Sequence, residues 1–270
     1  MTHYIGVDLA WGEGTAAKPA KETGVVCLDS GGGIHDAGWK RGIDATAEWI
    51  VAHTGPGDVV AIDAPLIVTN ATGMRECERE VGSRYGRWKV AANASNLSRA
   101  WLGGVTLRAR LEAHGFEYSD GIRSNTANAT TFFECYPYTA LVGAEEFGYE
   151  VERPRYKRPV PGLSPAARRE YRARECDELI RRFAQFGGHT PPLRLDSHPV
   201  TAELLNPSTL VDAAYKRRED LLDAAICAWT AALWHTRGLE RCQLLGAGSA
   251  PDAAGNRAVI IAPARAEQRR

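Results

Sequence analysis

Short apolar runs alternate with polar breaks along the front of the chain, and the pattern predicts an α/β protein. Residues 2–8, 23–28 and about 33–40 are rich in β-branched and aromatic side chains and read as three strands. The Ser30-Gly31-Gly32-Gly33 cluster turns the second strand into the third, which makes an antiparallel meander. A helix follows, capped by Asp44, with Ala47, Trp49, Ile50 and Val51 as its apolar positions, and it stops before Gly55-Pro56-Gly57. Val59-Val60-Ala61-Ile62-Asp63 is a fourth strand. Because a helix separates it from the meander, it is expected parallel to the first strand through a right-handed crossover.

Periodicity weakens beyond residue 66. A short charged helix is expected around 75–80, an exposed loop over 82–96 and a helix over 100–114, all in an inserted basic segment, 66–129. Residues 130–135 read as a fifth strand, and Thr139 opens a helix. A Pro/Arg-rich connection at 153–162 leads to a charged helix over 164–186, started by Ser164-Pro165 and stopped by Gly187-Gly188. These lie in a second basic segment, 145–200. The last helix, about 217–234, is apolar nearly all round and should be buried. Residues 258–262 add a strand at an edge. The expectation is one α/β domain with a mixed five-stranded sheet, antiparallel meander plus parallel strands, flanked by helices and carrying helical insertions.

Composition sets the class. With 270 residues, 44% hydrophobic and 24% charged, the chain matches a soluble globular protein. No apolar run is long enough for a membrane span and no signal region opens the sequence, so a cytoplasmic location is expected. Six cysteines without a C-x-x-C pair indicate neither a disulfide framework nor a zinc site. Net charge is zero, which argues against a wholesale nucleic-acid footprint, but the charge is unevenly spread. Residues 64–114 hold eight Lys/Arg against four Asp/Glu, and 153–182 hold ten against four. Two basic segments on an otherwise acidic body would flank an anionic substrate; solvated helix faces are the plain alternative.

The acids carry the chemistry. Asp is disfavoured in strands, yet Asp8 and Asp63 each end one, and parallel strands bring both to the sheet end where α/β proteins place their sites. Glu134 ends the fifth strand. Asp220 and Asp223 share one face of the last helix, where an ionised Asp223 is costly unless paired or bound to metal. Together these carboxylates would hold one or two Mg²⁺ or Mn²⁺ ions. Each also has a plain reading, as a cap or turn for Asp8 and Asp63 and as an arginine partner for Glu134. Arg75, Arg84, Arg87, Lys89 and Lys157 would position phosphates, and Tyr85 or Trp88 would stack a base. His3, His53, His114, His189 and His198 read as incidental. The stretch from Asp8 to Thr15 also resembles the phosphate-cradling hairpin of actin-like ATPases and sugar kinases, which need a second similar domain.

Gly6-Val7-Asp8, Ile62-Asp63-Ala64-Pro65, Arg75-x-x-Glu78, Glu134-x-Tyr136-Pro137, the segment from Tyr156-Lys157-Arg158 to Gly162, and Asp220-Leu221-Leu222-Asp223-Ala224 follow one another in a specific order. In that order they resemble the domain of unknown function 429 family, described as predicted RNase H-like nucleases. The resemblance implies a ribonuclease H-like fold and a divalent-metal-dependent nuclease acting on nucleic acid or a nucleotide. It implies Asp8, Asp63 and Asp223, or Asp220, as metal ligands, with Glu134, Arg75, Glu78 and Lys157 as further site residues. An ATP-dependent phosphotransferase and a non-catalytic nucleic-acid or protein-binding module are the alternatives, since fold does not fix function.

Overall fold

Runs of β-branched residues with little polar interruption build the middle of the sheet. The computed structural model describes residues 1–269 except 16, 124, 125, 127, 159 and 160. Its strands are β1 (His3–Asp8), β2 (Glu22–Asp29), β3 (Ile34–Arg41), β4 (Val59–Asp63), β5 (Glu117–Tyr118), β6 (Thr131–Glu134), β7 (Cys242–Leu245) and β8 (Ile260–Pro263). They form one mixed sheet in the order β3-β2-β1-β4-β6-β8-β7, with β5 alongside β6. β1 to β3 are the antiparallel meander, and β4 lies parallel to β1, as the crossover argument requires.

The sheet therefore has eight strands where five were expected. β5 is two residues long and leaves no readable alternation, and the four residues of β7 come one 3₁₀ turn after a long helix. The strand expected at an edge, β8, is internal, because β7 pairs antiparallel on its outer side.

The helices are α1 (Ile43–Ala52), α2 (Glu76–Tyr85), α3 (Gly103–Ala113), α4 (Pro137–Gly143), α5 (Pro165–Phe183), α6 (Pro199–Ala202) and α7 (Asp212–Arg237). Asp44 lies in the first turn of α1, whose cap position is Gly42. Ser164 does cap α5, its hydroxyl accepting from Ala167 N at 3.3 Å. The exposed loop expected over 82–96 is different: α2 runs on to Tyr85, a 3₁₀ turn covers Gly86–Trp88, and both aromatic rings are in the core. Within the 153–162 connection, residues 159 and 160 lie outside the described residues.

Alternation along the strands divides the core in two. Tyr4, Val26 and Ala61 face a layer with α4, α5 and α7, where Phe147, Phe183, Phe186 and Trp229 pack. Ile5, Val7, Val25 and Ile62 face a second layer with α1 and α3. Two glycines bring α7 onto the sheet. A Cβ at Gly6 would lie 1.9 Å from Ala224 O, and one at Gly24 would lie 2.2 Å from Asp220 O. Gly24 pairs in register with Asp8, so this contact sets the backbone of Asp220 beside the end of β1. No helix among the described residues is long and apolar enough to cross a membrane.

Candidate functional site

Asp8 and Asp63 occupy equivalent positions on adjacent parallel strands, in register with each other at the sheet end. α7 crosses above them and supplies Asp220 and Asp223, which are 5% and 0% exposed. Burial pushes Asp220 above the ordinary carboxylate range, against the pull of Lys216. Burial is the main force on this group. It pushes Asp8 well above the ordinary carboxylate range, with Asp223, Asp63 and Asp220 adding repulsion and Lys157 opposing. Asp63 is pushed up to about 7, again by burial first, then by Asp223 and Glu134 against the pull of Lys157.

Lys157 answers this charge. Its Nζ pairs with Asp223 Oδ2, and the neighbouring Tyr156 Oη donates to Asp223 Oδ1 at 2.5 Å. Burial alone would lower the Lys157 ammonium; Asp223, then Asp8 and Asp63, outweigh it and hold it well above its usual range. The segment carrying these two residues is anchored from α7, since Tyr215 Oη donates to Tyr156 O at 2.7 Å. Lys216 pairs with Asp220 at 2.6 Å and with Glu219 at 2.7 Å.

Glu134 has a different surrounding. Both its oxygens accept from Arg75, at 2.8 and 2.6 Å, and Leu66 N donates to one of them at 3.0 Å. Arg75 Nε also reaches Glu78 at 2.9 Å, and all three residues are buried. The arginine-partner reading of Glu134 is the observed one. Arg75 and Glu78 belong to this buried triad, and Arg75 has little left to offer a phosphate. Asp63, Arg75, Glu78 and Glu134 nonetheless line one narrow cleft of about 40 Å³, room for a few waters or an ion rather than a base.

The other expected site residues lie apart from the acids. Tyr85 and Trp88 are in the core, donating to Pro263 O at 2.6 Å and Glu150 O at 3.0 Å. Arg84, Arg87 and Lys89 pair with Glu80, Glu267 and Glu152. Conversely, Lys216 and Glu219 were not singled out from the sequence, and Tyr156 only as part of the Tyr156-Lys157-Arg158 motif, without a role of its own. Lys216 had a signal, its i to i+4 spacing from Asp220.

The donor set is all carboxylate oxygen, which suits a hard divalent cation. In this arrangement, though, no three His, Cys, Asp or Glu among the described residues are disposed to hold a metal ion. The charge of Asp8, Asp63 and Asp223 is met by Lys157 instead. The fold and site thus define an α/β protein with a lysine-neutralised carboxylate cluster at its sheet end. The chain belongs to the family described as protein of unknown function (DUF429), whose model matches residues 6–247. Comparison with curated proteins and with solved structures returned no match.

Proposed function

We propose that this chain is a divalent-metal-dependent phosphodiester hydrolase built on a ribonuclease H-like arrangement. The observation that carries the reading is the register pair Asp8 and Asp63, crowded against Asp220 and Asp223 until burial and repulsion raise their pKa values. Asp8, Asp63 and Asp223 would hold Mg²⁺ or Mn²⁺, which when bound supplies a polarised phosphoryl oxygen and an acidified water. Tyr156 fixes the Asp223 carboxylate by its hydrogen bond. Lys157 stands in for the cation while none is bound, and is a positive charge at the site able to meet a substrate phosphate. Glu134, locked by Arg75, holds the Ala64-Pro65-Leu66 turn in place through Leu66 N and takes no part in proton transfer.

Calorimetric titration of Mn²⁺ into the wild type and Asp8→Asn tests this. Binding by the wild type that is lost in the variant is expected, with the melting temperature of Asp8→Asn unchanged or higher because repulsion is relieved. Cleavage of any phosphodiester that survives in Asp8→Asn, or a wild type that binds no Mn²⁺ even with nucleotide present, would overturn it.

A further inference from the structure

A second cavity adjoins the carboxylate cleft and shares Trp11 and Asn93 with it. It measures about 210 Å³, and Ala94, Arg99 and Trp101 complete its lining. That is below the usual range of about 300–1,000 Å³ for drug-sized ligands, so it suits one ring system and not a duplex.

Its two tryptophans stand on segments that are bonded to each other. Gly103 N donates to Trp11 O at 3.0 Å, and a Cβ at position 103 would lie 2.6 Å from that oxygen. At Gly104 a Cβ would lie 2.3 Å from Pro65 O, the turn that follows Asp63. The glycine pair therefore lets the start of α3 sit against both the β1–β2 connection and the acid-bearing turn, which sets Trp101 beside the cleft. The segment leading to Trp101 is shaped by Asn96, whose Oδ1 accepts from Ser98 N at 3.2 Å and whose carbonyl accepts from Arg99 N at 3.1 Å.

Trp101 is 59% exposed, so its indole face is open to a ligand. Arg99 has no ion-pair or side-chain hydrogen-bond partner among the described residues, whereas Arg75, Arg84 and Arg87 are all tied to acids. A planar indole face, a second indole, an unengaged guanidinium and an amide recognise an aromatic heterocycle joined to an anion.

We infer that this cavity is a stacking subsite for one nucleotide, with the base against Trp101 and Trp11 and a phosphate met by Arg99. The inference rests on the reading of Asp8, Asp63 and Asp223 as the phosphoester site, and it names the substrate as a nucleotide or the nucleotide at the end of a single strand.

The test is calorimetric titration of AMP, of ribose 5-phosphate and of a single-stranded phosphorothioate tetranucleotide into the wild type, Trp101→Ala, Trp101→Phe and Arg99→Gln. Trp101 is on the surface, so its replacement leaves the fold intact, which the melting temperature verifies. AMP binding should weaken about 5- to 150-fold in Trp101→Ala and be largely kept in Trp101→Phe. Ribose 5-phosphate, which has no base, should bind weakly and equally to both. Arg99→Gln should weaken AMP and ribose 5-phosphate alike. Tighter binding of the tetranucleotide than of AMP, with the same Trp101 dependence, would identify a strand end as the source; equal binding would identify a free nucleotide. AMP that ignores Trp101, or that binds no better than ribose 5-phosphate, would overturn the subsite. Mn²⁺ titration of the same proteins separates the two readings. Metal binding abolished by Asp8→Asn alongside AMP indifferent to Trp101 removes the subsite only. Trp101-dependent AMP binding without Mn²⁺ binding removes the metal reading only.

Discussion

Asp63 and Glu134 end neighbouring strands, yet their charges are met in opposite ways. Glu134 has a bidentate arginine, a backbone donor and nothing else to bind. Asp63 is left with repulsion and a share of two lysines, Lys157 and Lys216. A carboxyl held above its ordinary pKa is protonated more readily in the fold than in the unfolded chain. Its contribution therefore favours the fold fully below about pH 4 and is lost as pH rises through about 7 for Asp63. Thermal unfolding in chelator should show the wild type losing stability between pH 5 and pH 8 relative to Asp63→Asn, with the variant the more stable at pH 8. A difference that does not change with pH would show that burial does not act on Asp63 as described. Glu134→Gln should do the reverse and destabilise by about 3–5 kcal/mol, because it leaves Arg75 buried with only Glu78 as counter-charge. The urea midpoint reads this directly, and a loss below about 1 kcal/mol would place Glu134 with the site acids after all.

One helix carries half of the cluster, and its seat on the sheet is set by backbone contact. Gly6→Ala would press a methyl group into Ala224 O and Ala228 N, main-chain atoms that cannot turn aside. The expected cost exceeds the about 1–3 kcal/mol of ordinary overpacking, and lifting α7 also moves Asp220 and Asp223 away from Asp8. A Gly6→Ala protein that melted as the wild type and bound Mn²⁺ equally would refute that placement. At this scale much could be read in advance. Gly6-Val7-Asp8 and Val59 to Asp63 stood out because buried parallel strands are continuously apolar and an acid ending one is conspicuous. The buried α7 was legible for the same reason. The triad was not, because Arg75 and Glu134 are 59 residues apart and a salt bridge leaves no periodicity. Tyr85 and Trp88 were misplaced because charged and glycine neighbours gave their segment the look of a loop, while tertiary packing drew the two rings inward. Trp101 carried no signal at all, since exposure of one side chain is decided by what packs around it.

Across the whole molecule, the basic surplus of residues 64–114 and 153–182 is largely met by acids within the fold. Arg169 and Arg172 both reach Asp212, Arg181 and Arg182 share Glu178, and Lys89 and Arg155 share Glu152. Such surface pairs are individually weak, about 0–1 kcal/mol, so an arginine is free to swing toward a phosphate. The acid it leaves behind stays in place and repels the same phosphate, so little net charge is gained. A polyanion should therefore find few sites on this surface, and recognition should concentrate at the sheet end, where Lys157 and Lys216 face the acids and Arg99 lines the adjoining cavity. Binding to a non-specific duplex is expected to be weak and to depend only shallowly on salt. Since each neutralised phosphate contributes about −0.9 to the slope of log K against log salt, one or two contacts give a slope no steeper than about −2. Fluorescence anisotropy between 50 and 200 mM salt, ranges over which a many-contact binder loses about 10³–10⁵ in affinity, decides the matter. A slope of about −5 or steeper would mean that the arginines leave their acids together, and the substrate would then be a long nucleic acid gripped along its backbone and not a single nucleotide.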